Sequence, residues 1–354
     1  MKDYRLINVG KFFAMFCVIM MHSIKDNNNL IFKLVQIGCM AYFFFVSGFL
    51  FKDKDLFKNE DGSIIEVTYN VNPFKYIARN IRTLLYPYLV CSVIGILSIY
   101  LWPDWYPEVT AINIFESIFI YFQPIGFGLV WFLAVLFTVK ISFYILWQFI
   151  KLFKNKTIIS ILLIASLIGL NFLTQYLIQY YKLGNIRLPY KIDTTIVALM
   201  FYIIGFLFKY WKLNKIFNYK WVSLILFIIF RVLCSYIEIN YIPGKTNICD
   251  FEFGNNFYIY FINQLFGVLS FLSLGSLLRD IKLIDYLGRN NLYIYLSHSY
   301  ILWIIEEIYG KIIGETHYSF YILKEILLLS IITYIITIIF SEILRKLLNY
   351  IKNS

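Results

Sequence analysis

Charged and structure-breaking residues are scarce in this chain of 354 residues. Charged side chains make up 15% of it, against about a quarter in a typical soluble domain, and there are only 7 prolines. Apolar residues make up 60%. They recur in stretches of roughly 18 to 25, each long enough to cross a bilayer as a helix. This composition excludes a soluble globular protein.

The apolar stretches also lack the alternation of polar and apolar residues that is typical of membrane-barrel strands. Isolated strands leave backbone groups unsatisfied in lipid, so these stretches must be helices. We predict an all-α, polytopic integral membrane protein with about ten transmembrane helices, both termini in the cytoplasm and no soluble domain. The predicted spans are residues 7–24, 31–51, 84–101, 129–150, 157–180, 194–209, 221–239, 256–278, 291–309 and 319–344.

Positive charge exceeds negative charge, with 32 lysines and arginines against 21 acidic residues. The basic residues form short clusters between apolar runs, a pattern typical of cytoplasmic loops rather than of nucleic-acid binding. Most of them fall on the cytoplasmic side in the proposed topology. The chain then forms one domain, 1–354, with a cytoplasmic loop at 52–83. An outer segment at 102–128, rich in aromatic residues and proline, is interfacial or re-entrant.

Histidine and cysteine are also rare, at 3 and 5 residues. The cysteines have no paired or metal-like spacing, so we interpret them as packing residues and predict no metal site. One histidine, His22, lies in the first predicted helix, eleven residues after Lys11. At 100° per residue the two side chains differ by about 20° in direction and by roughly 16 Å along the axis. They therefore share one face.

A cation at the cytoplasmic mouth and a proton-transfer group deeper in the membrane suit a transferase. The lysine would hold a phosphorylated donor, and the histidine would deprotonate an acceptor hydroxyl. The alternative is that Lys11 extends to the interface and that His22 is an interfacial residue. The spacing alone favours neither interpretation.

Five motifs, in order along the chain, resemble those of the acyltransferase-3 family of membrane acyltransferases. The first is the basic residue, ten residues and histidine of the first helix, with Lys11 where many members have arginine. The others are 43–49 (FFFVSGF), 79–88 (RNIRTLLYPY), 128–133 (GLVWFL), and 287–291 (LGRNN) followed by 295–298 (YLSH).

The resemblance implies transfer of an acyl group, usually acetyl, from cytoplasmic acetyl-CoA to a hydroxyl of an extracytoplasmic glycan. It makes His22 the catalytic residue and assigns Lys11, Arg79 and Arg82 to the CoA phosphates, with no metal. The expected partners are a glycan or lipid-linked saccharide acceptor, membrane lipids and separate polysaccharide-synthesis proteins, but no nucleic acid. The expected location is the plasma membrane of a bacterium.

Further residues are candidates for lining the reaction cavity. They are Ser47, Trp131, Arg231, Arg289 and His298. Each also has a simpler interpretation. Ser47 can serve close helix packing, Trp131 can anchor a helix at the interface, and His298 can hydrogen-bond a neighbouring helix.

Arg231 lies in mid-membrane and needs a partner there. A structural ion pair with Glu238 or Asp193 is favoured over a catalytic role. Asp193 can equally cap the helix that it begins.

Two other classes of function compete with an enzyme. A polysaccharide exporter would line its path with intramembrane charges, and a structural scaffold would depend on no single polar residue. The basic-x10-His face and the cytoplasmic arginines favour the enzyme, because a glycan channel needs neither.

Overall fold

A computed structural model of the protein describes residues 2–24, 29–51, 73–101, 111–121, 130–153, 155–184, 187–244, 246–313 and 323–353. Within these ranges the structure is helical, apart from one short hairpin. Nine of the helical segments in this part of the chain are long and apolar enough to cross a membrane. The predicted all-α, polytopic fold is confirmed.

The elements follow in chain order. The helices are α1 (Lys2–Ser23), α2 (Leu30–Gln36), α3 (Cys39–Phe49), α4 (Pro73–Asn80), α5 (Tyr86–Leu101), α6 (Ala111–Phe115), α7 (Trp131–Ile150), α8 (Lys156–Lys182), α9 (Ile192–Tyr210), α10 (Lys220–Tyr241), α11 (Phe257–Leu277), α12 (Lys282–Arg289), α13 (Asn291–Ile313) and α14 (Leu323–Asn353). Two π-helical turns, Ile81–Leu85 and Glu116–Ile120, follow α4 and α6. Antiparallel strands β1 (Thr246–Asn247) and β2 (Glu252–Phe253) separate α10 from α11.

The chain divides into two compact units, and the division falls within α3. The first unit contains Met1–Phe43, Gly126–Val130 and Leu213–Ser354. The second contains Phe44–Ile125 and Trp131–Lys212.

Helix α1 is central to the first unit, where it packs against α2, α11, α12, α13 and α14. Two glycines allow the closest approaches. A Cβ atom on Gly275 would overlap the Leu6 carbonyl oxygen, and one on Gly288 would overlap that of Asn8. Small residues permit such backbone contact between membrane helices, where dispersion and polar contacts replace the hydrophobic effect.

The predicted span 31–51 is a broken helix rather than a continuous one. Helix α2 ends at Gln36, Gly38 adopts a left-handed φ of 80°, and α3 begins at Cys39. The backbone N–H of Gly38 donates to Gln264 Oε1 at 2.7 Å. Unwound backbone at membrane depth requires such partners, because lipid offers none.

Polar side chains of α10 also hold this break. Arg231 Nη2 donates to the Leu34 carbonyl oxygen at 2.9 Å, which satisfies one of the last four carbonyls of α2. Glu238 is 1% exposed and accepts from Asn263 Nδ2 at 2.7 Å. The predicted ion pair of Arg231 with Glu238 or Asp193 is therefore wrong. Arg231 instead donates to a carbonyl at the end of α2. Glu238 accepts from the side-chain amides of Gln36 and Asn263.

Asp193 is fully buried and forms an ion pair with Arg187 at 2.8 Å. It lies in the first turn of α9, where its Oδ1 accepts from the Thr194 N–H, as suits an acidic group at a helix N-terminus. Helix α9 is largely buried, with 14 of its 19 residues buried. Gly205 of α9 and Gly48 of α3 bring the two helices close together, since a Cβ atom on either glycine would overlap the backbone of the other helix.

The helix predicted at 84–101 begins eleven residues earlier, at Pro73. The end of the predicted cytoplasmic loop, 73–83, is thus helical. Its three basic side chains are exposed, and their long stems let the charged ends leave the apolar region. The rest of the predicted loop, 52–72, and most of the segment 102–128 lie outside the described residues.

The predicted span 291–309 forms α13, which is not among the nine apolar segments. Its polar residues include Asn291, Ser297, His298 and Ser299, all of them buried. The count of ten spans and the cytoplasmic location of both termini remain predictions.

Candidate active site

His22 and His298 lie side by side in the first unit. Their ring centroids are 5.4 Å apart and the ring planes differ by 39°. His22 ends the polar face of α1 and is half-buried, whereas His298 of α13 is fully buried. The packing of α1 against α13 brings together residues 276 positions apart in sequence.

The hydrogen bonding of His298 fixes its tautomer. Its Nδ1 lies 2.6 Å from the carbonyl oxygen of Tyr295, one turn earlier in α13. A carbonyl oxygen can only accept, so Nδ1 carries the hydrogen and a neutral ring leaves Nε2 with a lone pair. Among the described residues this buried Nε2 has no hydrogen-bond partner. It is available to a proton donor.

A charged cluster surrounds Lys11, near the other end of the same face. Asp285 of α12 accepts from Asn8 Nδ2 and from Arg289 Nη2, both at 2.8 Å. Asn291 Nδ2 donates to the Lys11 carbonyl oxygen at 2.9 Å. Asp285 and Arg289 are both close enough for their charges to act on the Lys11 side chain.

This cluster contains two cations and one carboxylate, so it keeps a net positive charge. The Arg289 side chain is 60% exposed and Lys11 is half-buried, which leaves their N–H groups accessible to an anion such as phosphate. The assignments of Lys11 to the donor phosphates and of Arg289 to the cavity lining stay predictions. Asp285 was missed, although its position four residues before Arg289 is a typical ion-pair spacing on a helix.

The other predicted residues are Arg231, which binds the end of α2, and four residues of the second unit. Arg79 lies in the last turn of α4 and Arg82 lies in the π-helical turn, and both are exposed. Ser47 is half-buried beside Gly48, which packs against the Tyr202 backbone. Trp131 begins α7, and the Nζ of Lys191 lies over the Trp131 ring, 5.9 Å from the ring centroid.

These positions separate the candidates by role. Gly48, next to Ser47, serves the close packing of α3 and α9, and the role of Ser47 itself stays a prediction. Trp131 binds a cation through its ring face. Arg231 stabilises the end of α2, so its assignment to a cavity is not needed to explain it.

The arrangement provides a base and a cationic region on one helix. The His22–His298 pair can accept and pass a proton, and the Lys11 cluster can hold an anionic group about 16 Å away along the axis. Such a separation suits a donor whose reactive end is remote from its charged end.

Comparison with known families agrees with the resemblance seen in the sequence. Residues 4–345 match the profile of a family described as an acyltransferase domain. Neither a curated protein nor a solved structure shows significant similarity to the chain. The match covers nearly the whole sequence, including both histidines and the Lys11 cluster. The chain therefore belongs to the acyltransferase-3 family and is a membrane acyltransferase.

Proposed function

We propose that the protein transfers an acetyl group from acetyl-CoA to a hydroxyl of an extracytoplasmic glycan. The observation that carries the proposal is the His22–His298 pair, which lies on the same face of α1 as the Lys11 cluster. Imidazole near neutrality is the side chain best suited to accept a proton from a hydroxyl.

In the proposed reaction His22 removes the proton of the acceptor hydroxyl while the hydroxyl oxygen attacks the carbonyl carbon of the thioester. A C–O bond forms and the C–S bond breaks. The CoA thiolate leaves and takes the proton from His22, so the enzyme returns to its starting state. His298 is a positioning residue: its Nε2, which has no partner among the described residues, accepts from the His22 ring during the reaction and orients that ring.

The donor is held by its phosphates. CoA carries a diphosphate and a separate 3′-phosphate, and cations bind such groups through charge-assisted hydrogen bonds. Lys11 and Arg289 of the first unit supply such cations, and the Arg289 side chain is 60% exposed.

The test compares His22→Ala with His317→Ala, which removes the one histidine outside the pair. Membranes containing each variant are supplied with labelled acetyl-CoA, and surface glycans are analysed by mass spectrometry for the ester. We expect His22→Ala to abolish transfer and His317→Ala to retain it, at equal protein levels. Normal ester content in His22→Ala would refute the catalytic assignment.

The same analysis distinguishes the enzyme from an exporter. An exporter lacking function would leave unmodified glycan inside the cell. The enzyme lacking His22 would leave the amount of surface glycan unchanged and remove only its acetyl groups.

A further inference from the structure

Three buried polar atoms of the first unit take no part in the proposed reaction. They are Asn291 Oδ1 of α13 and the hydroxyl oxygens of Thr333 and Thr337 of α14, and none has a hydrogen-bond partner among the described residues. Both threonines are 0% exposed and Asn291 is 6% exposed. An unpaired polar atom away from water is unfavourable, so a native structure retains it where a ligand or water completes the bond. We call these three residues the polar seam.

The two threonines differ from other hydroxyl residues of α14. Ser330 and Ser341 donate to carbonyl oxygens three or four residues earlier in the helix, at 2.7 and 2.8 Å. That bond is the usual solution for a hydroxyl in a membrane helix. Thr333 and Thr337 make no such bond. Their hydroxyls are therefore available to another molecule.

Helix α13 runs parallel to α1. At the start of α13, Asn291 Nδ2 donates to the Lys11 carbonyl oxygen. Seven residues later along α13, His298 lies beside His22. Both helices thus lead from the Lys11 cluster to the histidine pair.

Helix α14 runs in the opposite direction. The Ser330 hydroxyl lies 3.3 Å from that of Ser23, the residue after His22. Four residues later along α14, Tyr334 donates to the carbonyl oxygen of Phe12, the residue after Lys11, at 3.3 Å. Helices α13 and α14 are consequently antiparallel.

This arrangement places both threonines between the histidine pair and the Lys11 cluster. Leu302 of α13 and Leu329 of α14 belong to one apolar cluster beyond the histidine pair. Because the helices are antiparallel, a step of four residues from each leucine reaches His298 on α13 and Thr333 on α14. Thr337 lies one further turn toward the Lys11 cluster. The polar seam therefore follows the same roughly 16 Å that separate the two ends of the site.

The pantetheine arm of acetyl-CoA matches the polar seam in length and in chemistry. About 13 bonds separate its phosphate from its sulfur, roughly 15 Å when the arm is extended at about 3.4 Å for every three bonds. The arm carries two amide groups. Their carbonyl oxygens can accept from the threonine hydroxyls, and their N–H groups can donate to Asn291 Oδ1.

We propose that the polar seam binds the pantetheine arm of the acyl-CoA donor, with Thr333 and Thr337 recognising its amide groups. The inference rests on the proposed function, which supplies the donor. Without a donor, α13 and α14 close on the seam and leave its hydrogen bonds unmade. The arm enters between these helices and fills the bonds. Both ends of its path are accessible, because Lys11 and His22 are only half-buried.

The experiment measures ligand binding and thermal unfolding of the purified full chain in nanodiscs of zwitterionic lipid. The ligands are CoA, pantetheine, which keeps the amides without a phosphate, and 3′-phospho-ADP, which keeps the phosphates without an amide. The variants are Thr333→Val and Thr337→Val, which exchange a hydroxyl for a methyl group, and Thr337→Ser, which keeps the hydroxyl. Thr174→Val is the matched control, because Thr174 is also 0% exposed but donates to the Leu170 carbonyl oxygen at 2.9 Å.

We expect each valine variant of the seam to weaken the binding of CoA and of pantetheine by about three- to tenfold, the effect of losing one neutral hydrogen bond. Binding of 3′-phospho-ADP should not change, and Thr337→Ser should retain most of the CoA affinity. Without ligand, both valine variants should unfold about 1–3 °C above the wild type, because an unpaired hydroxyl has left the interior. Thr174→Val should change no affinity and should lower the unfolding temperature.

Two outcomes would overturn the proposal. One is unchanged affinity for pantetheine in Thr333→Val and Thr337→Val. The other is a lower unfolding temperature in both, which would show that water or another part of the chain already pairs the hydroxyls. A wild type that binds pantetheine through the seam but transfers no acetyl group would contradict the proposed reaction and leave the seam supported. Normal transfer by both variants, with an unchanged KM for acetyl-CoA, would do the reverse.

Discussion

The Nδ1 of His298 donates to the Tyr295 carbonyl oxygen at 2.6 Å, which leaves Nε2 as a buried acceptor with no partner among the described residues. The neighbouring ring is that of His22, 5.4 Å away. Variants that keep a polar group at the place of only one ring nitrogen can therefore test whether His298 orients His22.

His298→Gln should retain more transferase activity than His298→Asn. The glutamine amide reaches the place of Nε2, where its oxygen can accept from His22, whereas the asparagine amide reaches only the place of Nδ1. We expect His298→Asn to lower kcat by about a hundredfold, the lower end of the contribution of proton-transfer groups. Rates are measured at saturating acetyl-CoA, and equal rates for the two variants would contradict the positioning role.

Asp285→Ala should destabilise the protein more than Arg289→Gln does. Asp285 is 5% exposed, and its loss leaves Asn8 Nδ2 without an acceptor, at a cost of about 1–3 kcal/mol. The Arg289 side chain is 60% exposed, so its ion pair contributes at most about 1 kcal/mol. Thermal unfolding in one detergent compares the two. The opposite order would show that the ion pair within α12 contributes more to stability than the buried amide contact between α12 and α1.

Arg231→Met should lower stability without changing the apparent KM for acetyl-CoA. The substitution leaves the Leu34 carbonyl unpaired at the end of α2, which costs about 1–3 kcal/mol. Arg231→Lys, which keeps one N–H donor, should recover part of the loss. A raised KM in a variant of normal stability would return Arg231 to the group of cavity-lining residues.

Gly288→Ala and Gly169→Ala should have opposite effects on stability. A methyl group at Gly288 would overlap the Asn8 backbone, so we expect a loss of about 1–3 kcal/mol. Nothing lies within 4 Å of a Cβ on Gly169. There alanine should stabilise α8 by up to about 1 kcal/mol, because it restricts the unfolded backbone. Thermal unfolding of both variants provides the measurement.

The orientation of the chain can be tested by thiol labelling. Lys75→Cys should react with an impermeant maleimide only in inside-out vesicles, because the basic start of α4 is predicted to face the cytoplasm. Lys182→Cys, at the exposed end of α8, should react only in right-side-out vesicles. The reverse pattern would invert the topology and exclude a cytoplasmic donor at Arg79.

Spacing along one helix was enough to predict the polar face of α1. The helical period of 3.6 residues places Lys11 and His22 on one face. Long apolar runs predict helices, because few other structures satisfy the backbone in lipid. His298 was identified by its motif, but its nearness to His22 depends on how α13 packs and is not contained in either segment.

Contacts that involve the backbone were the least predictable. Arg231 binds a carbonyl that is free only because α2 ends at Gln36, and hydropathy showed no break within 31–51. The start of α4 at Pro73 was missed for a related reason. Basic residues lower local hydropathy whether they lie in a loop or on a helix whose charged side chains extend out of the apolar region.

The central place of α1 in the first unit has a consequence for how the protein is made. Asn8 finds its acceptor 277 residues later in the chain, and Ser23 finds Ser330 after 307. At a synthesis rate of 5–20 residues per second, Asn8 waits about 14–55 s for Asp285 to be translated. During that interval the polar face of α1 stands in the membrane without its final neighbours. Helix α1 therefore gains its full set of polar contacts only after α12, α13 and α14 have been synthesised.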